Sequence, residues 1–248
     1  MKRIKYFILT FVILGGLCFI FCPEFFPENP QIKEILNSVS QNDVIIIFNS
    51  GGWGDTPLEK AEDFLPIIKG LQNTINEWGY SSVVIPYTRT KDNFLGRISS
   101  FRGTLFGFQK QAGILSDEIK EYLSENPGKK VVIAGLSNGA AFVEDTIKKV
   151  PATLKNQVLA IEVGIPFWKK KLNSENILRL TRQNQDPLSK GELKILVFTL
   201  VKTPIKWFLA KVSGKEISLS QAAYIPGHEY SWEEVRPEMI SFLENKIK

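Results

Sequence analysis

Short apolar runs alternate along most of the chain with longer stretches of helical periodicity. Uninterrupted apolar runs are typical of strands that are buried on both faces of a parallel sheet. Longer stretches with an apolar residue every three or four positions indicate helices packed on that sheet. We predict strands at 43–48, 82–86, 131–134, 157–163, 177–180 and 222–225, and helices at about 58–78, 105–124, 140–150 and 233–246. This alternation predicts an α/β fold with a mostly parallel sheet covered by helices on both faces.

The N-terminus carries a separate apolar signal. Three basic residues within positions 1–5 precede seventeen uncharged residues from Tyr6 to Cys22. This pattern is typical of a signal peptide or of an N-terminal membrane anchor, and no small-residue cleavage pattern follows it, which favours the anchor. We predict an anchor or signal at 1–22, a linker at 23–31 and one folded domain at 32–248. The domain is then extracytoplasmic on a membrane, or secreted if the first segment is cleaved.

Two further segments place apolar residues beside basic ones. Residues 94–108 belong in part to a polar loop predicted from Tyr87 to Gly103, and residues 193–212 are strongly apolar with four lysines. Such a composition suits an acyl chain with an anionic head or contact with a membrane surface. Core helices with a solvated lysine face explain the same pattern, so the sequence leaves both interpretations open.

Composition narrows the chemistry. The 248 residues carry a net charge of +5, but they contain no long basic run and no aromatic signature of RNA binding, so we predict no nucleic-acid partner. The two cysteines lie in the N-terminal segment and the chain has one histidine, His228. A thiolate or histidine-rich metal site in the domain is therefore excluded, and we predict no metal and no organic cofactor.

One strand runs directly into a motif for nucleophilic catalysis. The sequence Gly135-Leu136-Ser137-Asn138-Gly139 follows the strand at 131–134 and precedes the helix at 140–150. A sharp turn between strand and helix holds such a serine above the sheet, at the positive end of the helix. The flanking glycines suit the close approach of neighbouring backbone. We predict that Ser137 is a nucleophile.

From about Asp43 to its end, the chain resembles the α/β-hydrolase superfamily. The resemblance rests on the Gly135–Gly139 motif, on the alternation of elements, and on the order of serine, acid and histidine. It implies that Asp186 orients His228 and that His228 is the base for Ser137. Glu162 is the alternative acid. An Asp-Pro turn and an ordinary loop histidine would explain Asp186 and His228 without catalysis.

The same resemblance implies an oxyanion hole made of two backbone N–H groups. One belongs to Asn138, which follows the nucleophile. The other comes from the glycine-rich loop Asn49–Gly54, where Gly52 or Trp53 is the expected donor.

These residues predict a serine hydrolase of the carboxylesterase or lipase type. It would cleave an ester or thioester of a lipid-like or small acyl substrate through an acyl-enzyme intermediate. An acyltransferase or a peptidase would use the same machinery, and an inactive binding protein of this fold remains an alternative. The substrate and the substrate-binding residues do not follow from the sequence.

Overall fold

The computed structural model describes residues 31–91, 93–170, 172–182, 185–215, 225 and 227–248. The strands are β1 (Val44–Asn49), β2 (Ser82–Pro86), β3 (Lys130–Leu136), β4 (Val158–Val163) and β5 (Ile177–Leu180). The helices are α1 (Gln31–Ser38), α2 (Leu65–Glu77), α3 (Phe94–Phe106), α4 (Gln109–Glu125), α5 (Asn138–Ile147), α6 (Pro187–Lys190), α7 (Leu193–Val212) and α8 (Trp232–Ile247). Short 3₁₀ turns occur at Leu58–Lys60 and Ala152–Leu154.

The described strands form one sheet in the order β2-β1-β3-β4-β5, and every neighbouring pair is parallel. All six residues of β1 and of β4 are buried, as the apolar runs Val44–Phe48 and Val158–Ile161 predict, and this burial includes the polar residues Asn49 and Glu162. The prediction of a mostly parallel α/β sheet is confirmed. Because the strands are parallel, the loops that follow β1, β3, β4 and β5 leave the sheet at the same edge.

Helices cover both faces of the sheet. Residues such as Ile45 and Ile133 face one core, which α1, α4 and α5 close. Their neighbours Ile46 and Val132 face the other core, which α2 and α8 close. Full burial of each such aliphatic side chain stabilises the fold by about 1.5–3 kcal/mol. The two cores fix the sheet edge on which the candidate site is built.

The region between β2 and β3 departs from the prediction. Residues 94–106 form α3 rather than a loop, and the single helix predicted at 105–124 is in fact α4, which begins at Gln109. Asn93 caps α3 by accepting a hydrogen bond from the Gly96 N–H at 2.7 Å. Gly107, with a φ of 96°, follows the last residue of α3 and separates α3 from α4. The helix predicted at 58–78 likewise begins later, at Leu65.

Three predictions fall on parts of the chain outside the described residues. These are the anchor at 1–22, the linker at 23–31 and the strand at 222–225. Of the linker only residue 31 is described, and of the strand only Ile225. Within the part of the chain that the structure describes, no helix combines the length and apolarity required to cross a membrane.

Candidate active site

Ser137 lies at a strained turn between β3 and α5. Its φ is 55° and its ψ is −116°, a conformation that residues other than glycine rarely adopt. Such strain costs on the order of 1–3 kcal/mol and persists only where the surrounding structure enforces it. Here the Ser137 N–H donates to the Val163 carbonyl at 2.8 Å, which ties the turn to the end of β4. The side chain is partly buried at the N-terminus of α5.

The two glycines of the motif allow this turn to close. A Cβ on Gly135 would overlap the Gly139 carbonyl, and a Cβ on Gly139 would overlap the carbonyls of Asn49 and Ser50. Both contacts are with backbone, which cannot move aside as a flexible side chain would. The motif therefore packs β3, α5 and the loop after β1 at distances that only glycine permits.

His228 borders the same peptide segment as Ser137. Gly164 follows Val163, the residue that accepts the Ser137 N–H, and it has a φ of 61°. A Cβ on Gly164 would lie 2.7 Å from His228 Cε1 and 2.8 Å from the Tyr230 ring. The absence of a side chain at Gly164 thus makes room for the imidazole beside the serine turn.

The Asp186 carboxylate lies beside Nδ1 of the His228 ring. It is 0 % exposed, and its Oδ2 lies 2.9 Å from His228 Nδ1. Oδ2 also accepts hydrogen bonds from Ser189 Oγ at 2.6 Å and from Tyr230 Oη at 2.7 Å. Burial alone would raise the pKa of Asp186, but the adjacent His228 and the hydrogen bonds from Ser189 and Tyr230 outweigh it and hold the pKa well below its usual range. Asp186 is therefore ionised beside His228.

The second ring nitrogen of His228 is available for chemistry. Both ring nitrogens are buried, and within the described ranges of the chain neither makes a hydrogen bond of normal geometry, although Nδ1 lies 2.9 Å from Asp186 Oδ2. A carboxylate on Nδ1 favours the tautomer that leaves Nε2 unprotonated. With the carboxylate beside Nδ1, Nε2 is the ring nitrogen that is left to accept a proton.

Glu162, the alternative acid, is engaged elsewhere. Its Oε2 lies 2.7 Å from Arg179 Nη2, and the same nitrogen lies 2.9 Å from Glu144 Oε2. Burial raises the pKa of Glu162 to about 7, although Arg179 opposes the shift. Glu162 therefore belongs to an ion-pair cluster that links β4, β5 and α5, whereas Asp186 contacts the histidine.

The glycine-rich loop after β1 lies against the serine turn. A Cβ on Gly51 would lie 3.7 Å from Ser137 Cβ, an ordinary contact distance. Asn138 Nδ2 donates to the Gly52 carbonyl at 3.1 Å and so joins the loop to the start of α5. Gly52, with a φ of 55°, and the partly buried Trp53 continue the loop. The loop therefore lies directly against the Ser137 turn and the start of α5.

Arg89 was not among the residues predicted from the sequence, yet it connects the loop after β1 with the start of α5. Its side chain is 0 % exposed, with Nη2 donating to the Ser50 carbonyl at 2.6 Å and Nη1 to the Asn138 carbonyl at 3.1 Å. The guanidinium lies over the rings of Phe108 and Phe142, at 5.3 Å and 5.8 Å from their centroids. No motif surrounds Arg89 in the sequence, so no sequence signal would have found it.

Several aromatic residues of the predicted apolar segments have different surroundings. Phe108 is buried in the core, whereas Phe106 is exposed at the end of α3. Trp232 packs at the start of α8 against α2 and belongs to the edge of a core. Phe167 and Trp168, which follow β4, are both partly exposed, and Trp168 Nε1 donates to the Thr104 carbonyl at 3.0 Å.

In the described ranges, no group of three or more His, Cys, Asp or Glu residues could hold a metal ion.

Comparisons with known proteins found similar solved structures only. Neither a protein-family model nor a curated protein matches the chain. Among solved structures, Trichoderma reesei cutinase in complex with a C11Y4 phosphonate inhibitor is similar, with a TM-score of 0.55 and 14% identity, covering 95% of this chain and 97% of that chain. An acetylxylan esterase structure has a TM-score of 0.47 and 12% identity over 82% of this chain and 98% of that chain.

The likeness to cutinase decides the architecture. The chain has an α/β-hydrolase-type fold. At 14% identity the comparison shows the fold alone, so the chemistry has to be argued from the residues at the carboxyl edge of the sheet.

Proposed function

We propose that this α/β-hydrolase-fold protein is a serine ester hydrolase of the carboxylesterase or lipase type. The observation that carries the proposal is the strained Ser137 turn beside His228, whose Nδ1 lies 2.9 Å from a buried Asp186 carboxylate. A strained serine and a histidine–carboxylate pair are both costly to maintain, and both border the Val163–Gly164 segment. Nucleophilic catalysis accounts for that combination.

The proposed reaction begins with the transfer of the Ser137 hydroxyl proton to His228 Nε2. The serine oxygen attacks the ester carbonyl, and Asp186 stabilises the imidazolium that forms. His228 then gives the proton to the leaving alcohol as the carbon–oxygen bond of the ester breaks. In the second half of the reaction His228 takes a proton from water, and the resulting hydroxide attacks the carbonyl of the acyl-enzyme. The bond between the acyl group and Ser137 Oγ then breaks, the acid is released, and His228 returns the proton to Ser137.

The negative charge on the tetrahedral intermediate requires donors that are fixed in advance. The Asn138 N–H and an N–H of the Gly52–Trp53 loop are the proposed donors. The Asn138 side chain contacts the Gly52 carbonyl, and Arg89 contacts the carbonyls of Ser50 and Asn138. These contacts fix the two donor segments relative to each other, so little reorganisation is needed as the charge develops.

A fluorophosphonate probe tests the mechanism without knowledge of the substrate, because it reacts with activated serines. We expect the full-length protein to be labelled, and we expect Ser137→Ala and His228→Ala to abolish labelling. Ser124→Ala removes an exposed serine on α4 and serves as the matched control, which should label like the wild type. A panel of p-nitrophenyl esters of different acyl lengths then measures turnover.

The outcomes separate the proposal from its alternatives. Labelling that survives Ser137→Ala, in a protein whose circular dichroism is unchanged, would place the nucleophile elsewhere. A wild-type protein that labels at Ser137 but transfers the acyl group only to an added alcohol, and not to water, would be an acyltransferase.

A further inference from the structure

Helix α7 exposes an unusual amount of apolar surface. Phe198, Ile205, Phe208, Leu209 and Val212 are between 56% and 71% exposed. Isolated exposed apolar residues are common on proteins, but a contiguous set on one helix marks a surface that contacts something else.

These residues lie along a single stripe. Ile195, Phe198, Lys202, Ile205, Leu209 and Val212 follow one another at intervals of three or four residues, which is the spacing of one helix face, and Phe208 borders that face three residues after Ile205. The opposite face is anchored in the domain, since Thr203 and Ala210 are buried. The stripe is therefore the outer face of α7, and we refer to it as the α7 stripe.

Basic residues accompany the stripe, and acidic residues are absent from it. The segment Leu193–Val212 contains Lys194, Lys202, Lys206 and Lys211 but no aspartate or glutamate. Lys202 Nζ lies 3.9 Å from the centroid of the Phe198 ring, and Lys211 Nζ lies 4.5 Å from that of Trp207. Lysine stems that lie along aromatic rings are typical of side chains that reach from an apolar layer to a polar one.

The position of α7 relates the stripe to the candidate site. The helix contacts α6, which begins directly after Asp186, and the chain then returns to His228. Phe167 lies against Gly191, between α6 and α7, and is itself partly exposed. The stripe is thus attached to the same edge of the sheet as the serine turn.

We propose that the α7 stripe docks on the surface of an anionic lipid bilayer. Aromatic and aliphatic side chains insert at the boundary between headgroups and acyl chains, while lysines bind the lipid phosphates. Charge decides this occupant over a second copy of the chain. A symmetric pairing of two α7 stripes would bring lysines against lysines, with no carboxylate on the segment to compensate them. Docking would present the candidate site to lipid-borne substrates.

The test uses the full-length protein in a Ser137→Ala background, so that binding is measured independently of the proposed reaction. Cys18 and Cys22 are replaced by serine, and one cysteine at Phe208→Cys carries an environment-sensitive fluorophore. The protein is reconstituted with vesicles of phosphatidylcholine, alone or mixed with phosphatidylglycerol. Doxyl-labelled lipid quenches a fluorophore in the bilayer, and iodide quenches one in water. The same label at Ile114→Cys, a partly exposed site on α4, is the matched control.

We expect lipid quenching at position 208 in anionic vesicles, much weaker lipid quenching there in neutral vesicles, and iodide quenching at position 114 in both. Lys202→Glu with Lys206→Glu should lower the ratio of docked to undocked protein by at least about 25-fold, because each lysine near an anionic surface strengthens binding about five-fold. Equal lipid quenching in the two vesicles would overturn the proposal. Quenching of position 208 by iodide alone would overturn it too. A label reached by neither quencher would show that protein covers the stripe, which also overturns it.

Discussion

Arg89 places a positive charge where water does not reach it. Burial lowers the pKa of Arg89 to about 10, although the charge of Asp55 opposes the shift. Burying an ion is costly unless hydrogen bonds compensate it, and here two backbone carbonyls accept from the guanidinium. A Cβ on Gly54 would lie 2.7 Å from the Arg89 Nε, so the loop after β1 is closely fitted to the side chain. Arg89 therefore positions the proposed oxyanion donors without contacting the substrate.

Replacing Arg89 by methionine should lower kcat for a p-nitrophenyl ester by about 10–100-fold and leave KM nearly unchanged. The methionine fills the space but cannot hold the carbonyls of Ser50 and Asn138, so the proposed donors lose their alignment. Removal of a complete oxyanion donor costs about 100–1,000-fold in kcat, which sets the upper bound. Steady-state kinetics on the folded fraction of the variant measure the effect.

Arg89→Lys is the partner variant, since it keeps the charge but cannot reach both carbonyls with the geometry of a guanidinium. We expect it to lie between the methionine variant and the wild type. A methionine variant with a lower melting temperature and an unchanged kcat would show that Arg89 stabilises the fold and has no role in positioning.

The sequence predicted the candidate residues that are recognised by their order along the chain. It did not predict the residues whose roles depend on how the side chains pack. The pairing of Asp186 with His228 was predicted from the resemblance to the α/β-hydrolase superfamily and its order of serine, acid and histidine, and the two side chains lie 2.9 Å apart. Tyr230 and Ser189, which donate to the Asp186 carboxylate, carry no such signal. Their roles follow from distances that a single sequence does not contain.

At the scale of elements, helices α2 and α8 pack closely against each other at Gly70. A Cβ on Gly70 would overlap the ring of Trp232, the first residue of α8. The capping box between Ser231 and Glu234 fixes that end of the helix, and His228 lies three residues before Ser231. The contact between Gly70 and Trp232 thus anchors the end of the histidine loop.

Gly70→Ala should destabilise the protein by about 1–2 kcal/mol, although alanine is favoured in helices by up to about 1 kcal/mol. The overlap with Trp232 outweighs the gain in propensity because the indole has to move. Chemical denaturation followed by circular dichroism measures the free energy of unfolding.

Gly113→Ala on α4 provides the matched control. The nearest atom to a Cβ at that position is Lys149 Cδ at 3.9 Å, so the methyl group has room. We expect this variant to be more stable than the wild type by about 0.5–1 kcal/mol. If both variants were stabilised equally, the proposed anchoring role of the Trp232 contact would be wrong.

Strands were easier to predict than helices for a physical reason. A strand that is buried on both faces contains a continuous apolar run, such as Val44–Phe48 in β1 and Val131–Ala134 in β3, and such a run is easy to recognise in a sequence. Helix α3 was missed because Gly96 and Gly103 lie within it and weaken helix propensity. A Cβ at Gly103 would overlap the ring of Phe108, so this glycine serves packing against the next segment and does not mark a loop.

At the scale of the whole molecule, a buried charge cluster joins three elements. Arg179 of β5 contacts Glu162 of β4 and Glu144 of α5, and both glutamates are 0 % exposed. Burial raises the pKa of Glu162 to about 7 from an ordinary value of 4.5. Between these two values the folded state holds a proton that the unfolded state has lost.

This difference in proton binding gives a definite sign. Since the folded state binds more protons across the window from pH 4.5 to about 7, the free energy of unfolding should fall as the pH rises through it. The contribution is up to about 1.4 kcal/mol per pH unit. Glu162→Gln should remove this part of the slope, which urea denaturation at a series of pH values would measure.

Glu175→Gln is the control, because Glu175 is an exposed carboxylate whose ion pair with Lys246 spans 3.7 Å. It should leave the slope unchanged. Parallel stability curves for the wild type and Glu162→Gln would contradict the prediction. Asp186 acts at lower pH and in the opposite direction, since its lowered pKa removes stability as the pH falls below about 4.

The backbone of Ser137 has a consequence for how this protein can change over evolutionary time. Its φ of 55° suits glycine better than serine, so the fold carries a permanent penalty at the one position where the proposed chemistry needs a hydroxyl. A mutation to glycine there would relax the backbone and destroy the nucleophile in the same step. Thermodynamic selection alone would favour the inert protein, and only selection for the reaction would retain the serine.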